Sequence, residues 1–312
     1  MGLKALLSLI VTSHLLLLIS PNCLATNLYR YQDEQGRWVF GDKQSLGNDL
    51  KLQQKAEAFE VINKKTVSII KPDLIIKQGA GNAGNTWYLS NPLPVTVQHW
   101  LRVKGERTYF TSVLTRPFQS VTLNSNDFSL ASLDKSIEHF YLLGAPAAKP
   151  ENKRIPLPYS SGQTFKISQG FKGEFSHSGR GNRYAVDIAM PIGTEITAVK
   201  EGIVADVQDH FTLGGAAQYF LNKANHVTVM HDDESYAIYA HILHGSAVVK
   251  LGERIMVGDV LARVGNTGFS TGPHLHFVMR YNSGNGSYSI PFQFIAQEGV
   301  HTPIFNNRYT AQ

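Results

Sequence analysis

Histidine and aspartate residues with spacings that suit metal or acid–base chemistry are concentrated in the second half of this 312-residue sequence. His274 and His276 lie two positions apart at the start of an apolar segment, so both side chains would point to one face of a strand. A metal ion or a pair of catalytic roles would explain two adjacent imidazoles, although a chance His-x-His is the alternative. Asp187, ten positions after His177, lies among small residues that leave room for a partner. By itself it is equally typical of a strand cap or a salt bridge.

Together, His177, Asp187 and His276 supply two nitrogens and one oxygen, a three-ligand set for Zn²⁺ that leaves a position for water. A structural zinc site usually closes with a cysteine, and the sequence has only one, Cys23. Zinc lowers the pKa of a bound water to roughly 7 and polarises a carbonyl, so this set suits hydrolysis of an amide. His241 and His274 could then accept the proton of the water or stabilise the oxyanion.

The strands that must position these residues are visible as short alternating segments. Residues 225–231 and 236–241 flank an Asp-Asp-Glu-Ser turn and predict a β-hairpin. Alternation with period two places Tyr239 and His241 on one face at the end of the return strand.

Three other histidines receive no catalytic role. His226 and His231 begin and end the outgoing strand of the hairpin and fall on opposite faces, so they cannot both point at one site. They are interpreted as structural or surface residues. Residues 209–224 form an insertion-like segment that we expect to line or cover the groove, and His210 within it is interpreted as a bystander.

The stretch from about Phe165 to Arg280 resembles the lysostaphin-type, LytM-like family of zinc peptidases that cut peptidoglycan. The resemblance rests on four motifs in the expected order, of which the last is the strongest: GTEITAVKEGIVADV, NHVTVMHDDESYAIYAHI, VVKLGERIMVGDVLARVGNTG and STGPHLHF. It implies a small domain built on an antiparallel β-sheet.

The resemblance also implies roles for the five site residues. His177, Asp187 and His276 would hold zinc, and His241 and His274 would be the catalytic pair. The common family pattern places the Asp four residues after the first His, whereas nine residues separate the two here. A loop of Gly, Arg and Asn residues between them can absorb this extra length.

The amino terminus predicts export. Residues 1–25 combine Lys4, an apolar stretch and small residues at a cleavage site, which is typical of a secretory signal peptide. A retained membrane anchor and lipidation at Cys23 are the alternatives. After cleavage the chain has no cysteine, so it would fold without a disulfide.

The front half is more basic than the back half, with 17 basic and 12 acidic residues over 26–154 against 11 and 12 over 155–312. This excess is too small to indicate nucleic acid without a basic motif, and none occurs. One interpretation is that lysines and exposed tryptophans hold an anionic surface such as cell-wall glycan or lipopolysaccharide. The favoured alternative is that Trp87 and Trp100 are core residues and the lysines are solvated.

These patterns predict a mainly-β protein with five parts. The predicted parts are a signal peptide (1–25), a small β-module (26–60), a β-sandwich-like domain (61–148), a LytM-like zinc peptidase domain (149–300) and a C-terminal tail (301–312).

The predicted function is that of an exported, zinc-dependent endopeptidase of the periplasm or cell envelope. It would hydrolyse the peptide stems of peptidoglycan where they are cross-linked. The alternative is a non-catalytic LytM-like regulator that activates another wall hydrolase, but such proteins usually lack one or more zinc ligands and this chain keeps all five site residues.

Overall fold

Strands account for nearly all the regular structure of the protein. The computed structural model describes residues 28–32, 38–42, 57–59, 70–77, 86–105, 107, 111–123, 137–147, 149–150 and 153–312. Within these ranges the one helical element is a 3-10 helix at Gln218–Phe220, which confirms the mainly-β prediction. No helix in the described part of the chain is long and apolar enough to cross a membrane. The predicted signal peptide lies outside the described residues.

The first three strands form a small sheet in the order β2-β1-β3. They are β1 (Leu28–Gln32), β2 (Trp38–Asp42) and β3 (Glu57–Phe59). β1 pairs antiparallel with β2, with Gln32 opposite Trp38.

Six further strands form two three-stranded sheets in the orders β4-β5-β8 and β7-β6-β9. They are β4 (Asp73–Lys77), β5 (Thr86–Ser90), β6 (Val97–Val103), β7 (Thr111–Thr115), β8 (Ser120–Leu123) and β9 (Ile137–Leu143). Trp87, Leu89 and Leu123 of the first sheet pack with Leu101 of the second in one apolar cluster. Trp87 is therefore a core residue, in agreement with the packing interpretation.

The remaining strands belong to the back half. They are β10 (Lys153–Pro156), β11 (Thr164–Gln169), β12 (Val186–Ala189), β13 (Glu195–Thr197), β14 (Gly202–Gln208), β15 (Gly214–Gly215), β16 (His226–Met230), β17 (Ser235–Ala240), β18 (Arg254–Ile255), β19 (Val260–Arg263), β20 (Gly268–Phe269), β21 (Leu275–Asn282), β22 (Ser287–Ser289), β23 (Phe292–Ala296), β24 (Gly299–His301) and β25 (Arg308–Thr310). A nine-stranded sheet in the order β18-β14-β16-β17-β21-β12-β11-β25, with β22 beside β21, is the central element.

Two faces of this sheet have different roles because side chains alternate along each strand. On β12 and β21, Val186, Ile188, Phe277 and Met279 point into the main apolar core. Asp187 lies between the first two of these and points to the other face, where it lines a groove.

The C-terminal residues are integrated into the fold. Residues 301–312, predicted to be a C-terminal tail, include β25, which pairs antiparallel with β11, with Tyr309 opposite Phe165. Tyr309 and Ala311 are buried in the main core, and their burial explains why the segment stays attached to the sheet.

The front half packs on the same sheet face that carries the groove. Leu93, Val95 and Val97 form an apolar cluster with Met230 and Tyr236 of the central sheet. The face of the sheet that carries the groove is thus covered by the front half at its other end.

Candidate metal centre

Three segments bring the predicted ligands together. Asp187 on β12 lies directly opposite His276 on β21 in an antiparallel pair. His177 comes from the loop between β11 and β12, where its backbone N–H donates to Gly173 O at 2.9 Å. Its ring is fully buried. The sheet register therefore fixes two of the three residues, and a tight turn delivers the third.

Asp187 Oδ1 lies 3.2 Å from His177 Nε2 and 2.8 Å from His276 Nδ1. The three candidate ligand atoms all lie within 4.8 Å of one another. Tetrahedral zinc with bonds of about 2.0–2.1 Å would separate its ligand atoms by about 3.3 Å. The donor set and its spacing thus fit a divalent metal ion.

Hydrogen bonds behind the ligand atoms orient them toward a common point. His177 Nδ1 lies 2.9 Å from Gly170 O and donates to it, which leaves Nε2 unprotonated on the side of Asp187. Gln169 Nε2 donates to Asp187 Oδ2 at 3.1 Å and to Ser176 Oγ at 2.7 Å, which leaves Asp187 Oδ1 for the metal. Such supporting contacts are usual around metal ligands. Sequence reasoning did not single out Gln169, because only its pairing opposite Asp187 reveals its role.

The electrostatics of the cluster favour a charged carboxylate beside a neutral His276. Burial opposes ionisation of Asp187, but its contacts with the imidazoles of His177 and His276 outweigh burial and hold the pKa of the carboxyl well below its usual range. Burial lowers the pKa of His276, although Asp187 acts in the opposite direction. A metal requires these same forms, an anionic oxygen and unprotonated nitrogens.

His241 and His274 lie beside the three candidate ligands, with their ring centroids 4.6 Å apart. His241 Nδ1 donates to Thr267 O at 2.6 Å, and His274 Nδ1 lies 2.8 Å from Gly272 O. Both carbonyls fix the proton on Nδ1, so Nε2 is free to accept a proton. Burial, reinforced by the neighbouring histidines, lowers the pKa of His241 to about 3, so its ring is neutral at pH 7.

The expectation that Tyr239 and His241 share a face is wrong. Tyr239 is buried in the main core, where its hydroxyl accepts a hydrogen bond from Val199 N at 2.9 Å. His241 follows the last residue of β17 and has a φ of 64°, in the left-handed region. This backbone turn breaks the alternation and directs the imidazole into the groove. Simple parity cannot anticipate such a reversal.

The other histidines lie at different places. His226 lines the groove, away from the three ligands, and its Nε2 lies 2.8 Å from Asp206 Oδ2. His231 is buried, with Nδ1 donating to Glu201 O at 2.7 Å, and is not part of the groove. The two do not share a site, as predicted. His210 contacts the ring of Phe211, with the two ring centroids 4.1 Å apart, and does not line the groove.

The groove is open to solvent and has a volume of about 770 Å³. All five predicted site residues except the fully buried His177 line it. Leu221 and Ala224 also line it, which confirms that the 209–224 segment contributes to the groove wall. Phe175 and Phe269 stack at its rim with centroids 5.7 Å apart.

Comparison with known proteins identifies the domain. Residues 181–288 match the profile of Peptidase family M23. The matched segment contains Asp187, His241, His274 and His276, and it begins after His177. Residues 181–288 therefore match a peptidase M23 domain, and the resemblance noted in the sequence is confirmed.

Similar proteins include enzymes of bacterial walls. The chain is 31% identical over 121 residues to the glycyl-glycine endopeptidase ALE-1 of Staphylococcus capitis, covering 38% of this chain and 30% of that protein. It is 28% identical over 163 residues to the peptidoglycan DD-endopeptidase ShyC of Vibrio cholerae, covering 51% of this chain and 34% of that protein. The matches thus span about a third of the length of these relatives.

Among solved structures, a mutant catalytic domain of the prophage-encoded M23 protein EnpA from Enterococcus faecalis is 26% identical to this chain. The alignment covers 43% of this chain and 92% of that one, with a TM-score of 0.32.

Proposed function

We propose that the protein is an exported zinc endopeptidase that hydrolyses peptide cross-links in peptidoglycan. The observation that carries the proposal is the convergence of two histidines and one aspartate. Asp187 Oδ1 lies 3.2 Å from His177 Nε2 and 2.8 Å from His276 Nδ1, and the rings of His241 and His274 lie beside this cluster. The names of the similar proteins, which are endopeptidases of peptidoglycan or of glycyl-glycine bonds, support the choice of substrate.

His177 Nε2, Asp187 Oδ1 and His276 Nδ1 would hold the metal. When bound, zinc would polarise the scissile carbonyl and lower the pKa of a water to roughly 7. With one carboxylate and two neutral nitrogens as ligands, the site would keep a net positive charge. That charge would favour the negative charge that develops on the carbonyl oxygen.

His241 and His274 would move the proton. Each holds a proton on Nδ1 against a backbone carbonyl and presents an unprotonated Nε2. One Nε2 would accept the proton of the attacking water and return it to the leaving amine, so that the ring ends neutral. The fixed Nδ1 contacts would keep the rings aimed at the reacting atoms through the cycle.

The location and the front half complete the proposal. The leader-like residues 1–25 support export to the periplasm or cell envelope, where peptidoglycan lies. The predicted division into a small β-module, a β-sandwich-like domain and a peptidase domain is supported by the separate sheets of the front half. The excess of basic residues in the front half supports contact with an anionic envelope surface.

The test combines metal analysis with digestion of purified peptidoglycan by residues 26–312. We expect one zinc per chain and release of cut cross-links that stops when a chelator is added. His276→Ala should lose both zinc and activity, whereas His274→Ala should keep zinc and lose activity. His244→Ala, an exposed histidine outside the groove, is the matched control and should behave as the wild type.

The outcomes separate the alternatives. Zinc without cleavage would favour the regulator that binds another wall hydrolase. A metal-free protein would overturn the assignment of His177, the ligand outside the matched family segment. Loss of zinc in His274→Ala would mean that His274 and His276 have exchanged roles.

A further inference from the structure

The groove continues from the candidate metal centre along β21. His276, Val278 and Arg280 occupy alternate positions of this strand and share its groove face. Ile238 and Ala240 of the neighbouring β17 line the same floor. At about 3.3 Å per residue, Arg280 lies about 13 Å along the strand from His276, a distance that four extended residues would span.

Arg280 is a half-buried cation at the far end of this floor. Its Nε donates to Gly181 O at 2.6 Å, and its Nη2 donates to Asn182 Oδ1. A third contact joins the guanidinium to the Tyr236 hydroxyl. An arginine side chain has five N–H donors, so these three contacts leave others available. Within the described part of the chain, no Asp or Glu forms an ion pair with Arg280.

The charges around the groove are asymmetric. Asp187 is the one acidic residue among those that line it, and its oxygens already face His177, His276 and Gln169. Arg280 is the permanent cation of the lining. A half-buried guanidinium that keeps its charge without a carboxylate partner is costly, unless a ligand supplies the missing charge.

The front half limits the groove beyond Arg280. Tyr236 lies opposite Arg280 in the β17–β21 pair and belongs to the apolar cluster with Leu93 and Val95. An extended chain lying along the floor would meet this cluster just past Arg280. The part of the groove beside Arg280 is therefore suited to a charged group near the end of a short peptide.

We propose that Arg280 binds a carboxylate of the peptide substrate, up to about four extended residues from the scissile bond. This inference rests on the proposed function and assigns the substrate class as an anionic peptide. The competing interpretation is that Arg280 only holds the loop that contains Gly181 and Asn182. Both interpretations predict that replacing Arg280 lowers the activity, so the test must vary the charge of the substrate.

The experiment uses the zinc-loaded protein and a cross-linked peptide dimer released from peptidoglycan. One sample keeps its free carboxylates, and in the matched sample these are converted to amides with a carbodiimide and ammonia. We expect kcat/KM for the free acid to exceed that for the amide by about ten- to a hundred-fold, the usual worth of a hydrogen-bonded charge pair. The difference should lie mainly in KM.

Variants then assign the effect to Arg280. Arg280→Gln should reduce kcat/KM for the acid to the level of the amide and leave the amide unchanged. Arg280→Lys should keep part of the preference, because it retains the charge but loses the planar fork. Arg180→Gln removes the same charge from a side chain that stacks on Tyr288 outside the groove, and it should keep the full preference.

Two results would overturn the inference. The first is equal efficiency of the wild type with acid and amide, a comparison that needs no variant and so does not depend on folding. The second is a loss of the same factor on both substrates in Arg280→Gln, which would assign Arg280 to support of the loop. If neither dimer is cut, the proposed function fails, and calorimetric affinities of the two dimers for the wild type and Arg280→Gln decide the inference.

Discussion

Replacing Gln169 by leucine should weaken zinc binding without removing a ligand. Gln169 Nε2 donates to Asp187 Oδ2 at 3.1 Å and to Ser176 Oγ at 2.7 Å, and it lies opposite Asp187 in the β11–β12 pair. The leucine keeps a similar volume but cannot donate. The carboxylate would then lose the contact that restrains Oδ2, and Oδ1 would be held less firmly toward His177 and His276.

The expected size follows from these contacts. A hydrogen bond to a charged group contributes about 1.5–3 kcal/mol, and outer contacts of metal ligands typically change metal affinity by about ten- to a hundred-fold. The two estimates agree, because a ten- to hundred-fold change corresponds to about 1.4–2.7 kcal/mol. Asp187 keeps its two histidine contacts, so the site should be weakened rather than lost.

The assay is a competition titration of zinc against a chromophoric chelator at pH 7.5. Gln293→Leu, on β23 and outside the groove, is the matched control and should bind zinc as the wild type does. An affinity of Gln169→Leu within twofold of the wild type would refute the reasoning, since the Nε2 contact would then not orient the ligand. Complete loss of zinc would also contradict it and would point to misfolding of the His177 loop.

Three further outcomes are expected. Hydrolysis should fall as the pH drops below about 6, because protons compete with the metal for His276 and His177, and a flat rate profile down to pH 4 would contradict this. Zinc at a hundred times its Kd should stabilise the fold by about 2.7 kcal/mol, measured as a rise in Tm that a chelator reverses. Burial lowers the pKa of His231 to about 4 in the folded protein. As the pH falls, His231 is therefore protonated in the unfolded chain before it is protonated in the folded protein, and the free energy of unfolding decreases from about pH 6.5 toward pH 4. At pH 4.5 the free energy of unfolding should be lower by about 2.5 kcal/mol for this reason. His231→Asn keeps a donor for Glu201 O and should remove this part of the acid sensitivity, measured by urea titration of the zinc-free protein.

Local patterns in the sequence were enough to predict several elements of the site. The β16–β17 hairpin follows from a polar turn between two alternating segments, and the structure pairs the two strands antiparallel across this turn, with Met230 opposite Tyr236. Asp187 and His276 point to the groove face because the residues on either side of each are apolar and need the core. In both cases the information lies within a few residues of the side chain concerned.

Other features depend on contacts that the local sequence does not encode. Gln169 and Asp187 become neighbours only when β11 pairs with β12. His241 enters the groove because of a left-handed residue at a strand end, and nothing in its side chain requires that conformation. The position of the front half against Met230 and Tyr236 is set by packing between distant parts of the chain.

The strand β21 links the stability of the fold to the proposed chemistry. Phe277 and Met279 are buried in the core, while His276 and Arg280 face the groove, so the core packing and both ends of the groove depend on one register. A slip of one residue would send His276 and Arg280 into the core and expose the apolar residues. The apolar residues of β21 therefore do more than stabilise the sheet. They fix the distance between the proposed metal centre and the proposed carboxylate subsite, and so the length of peptide that the groove would accept.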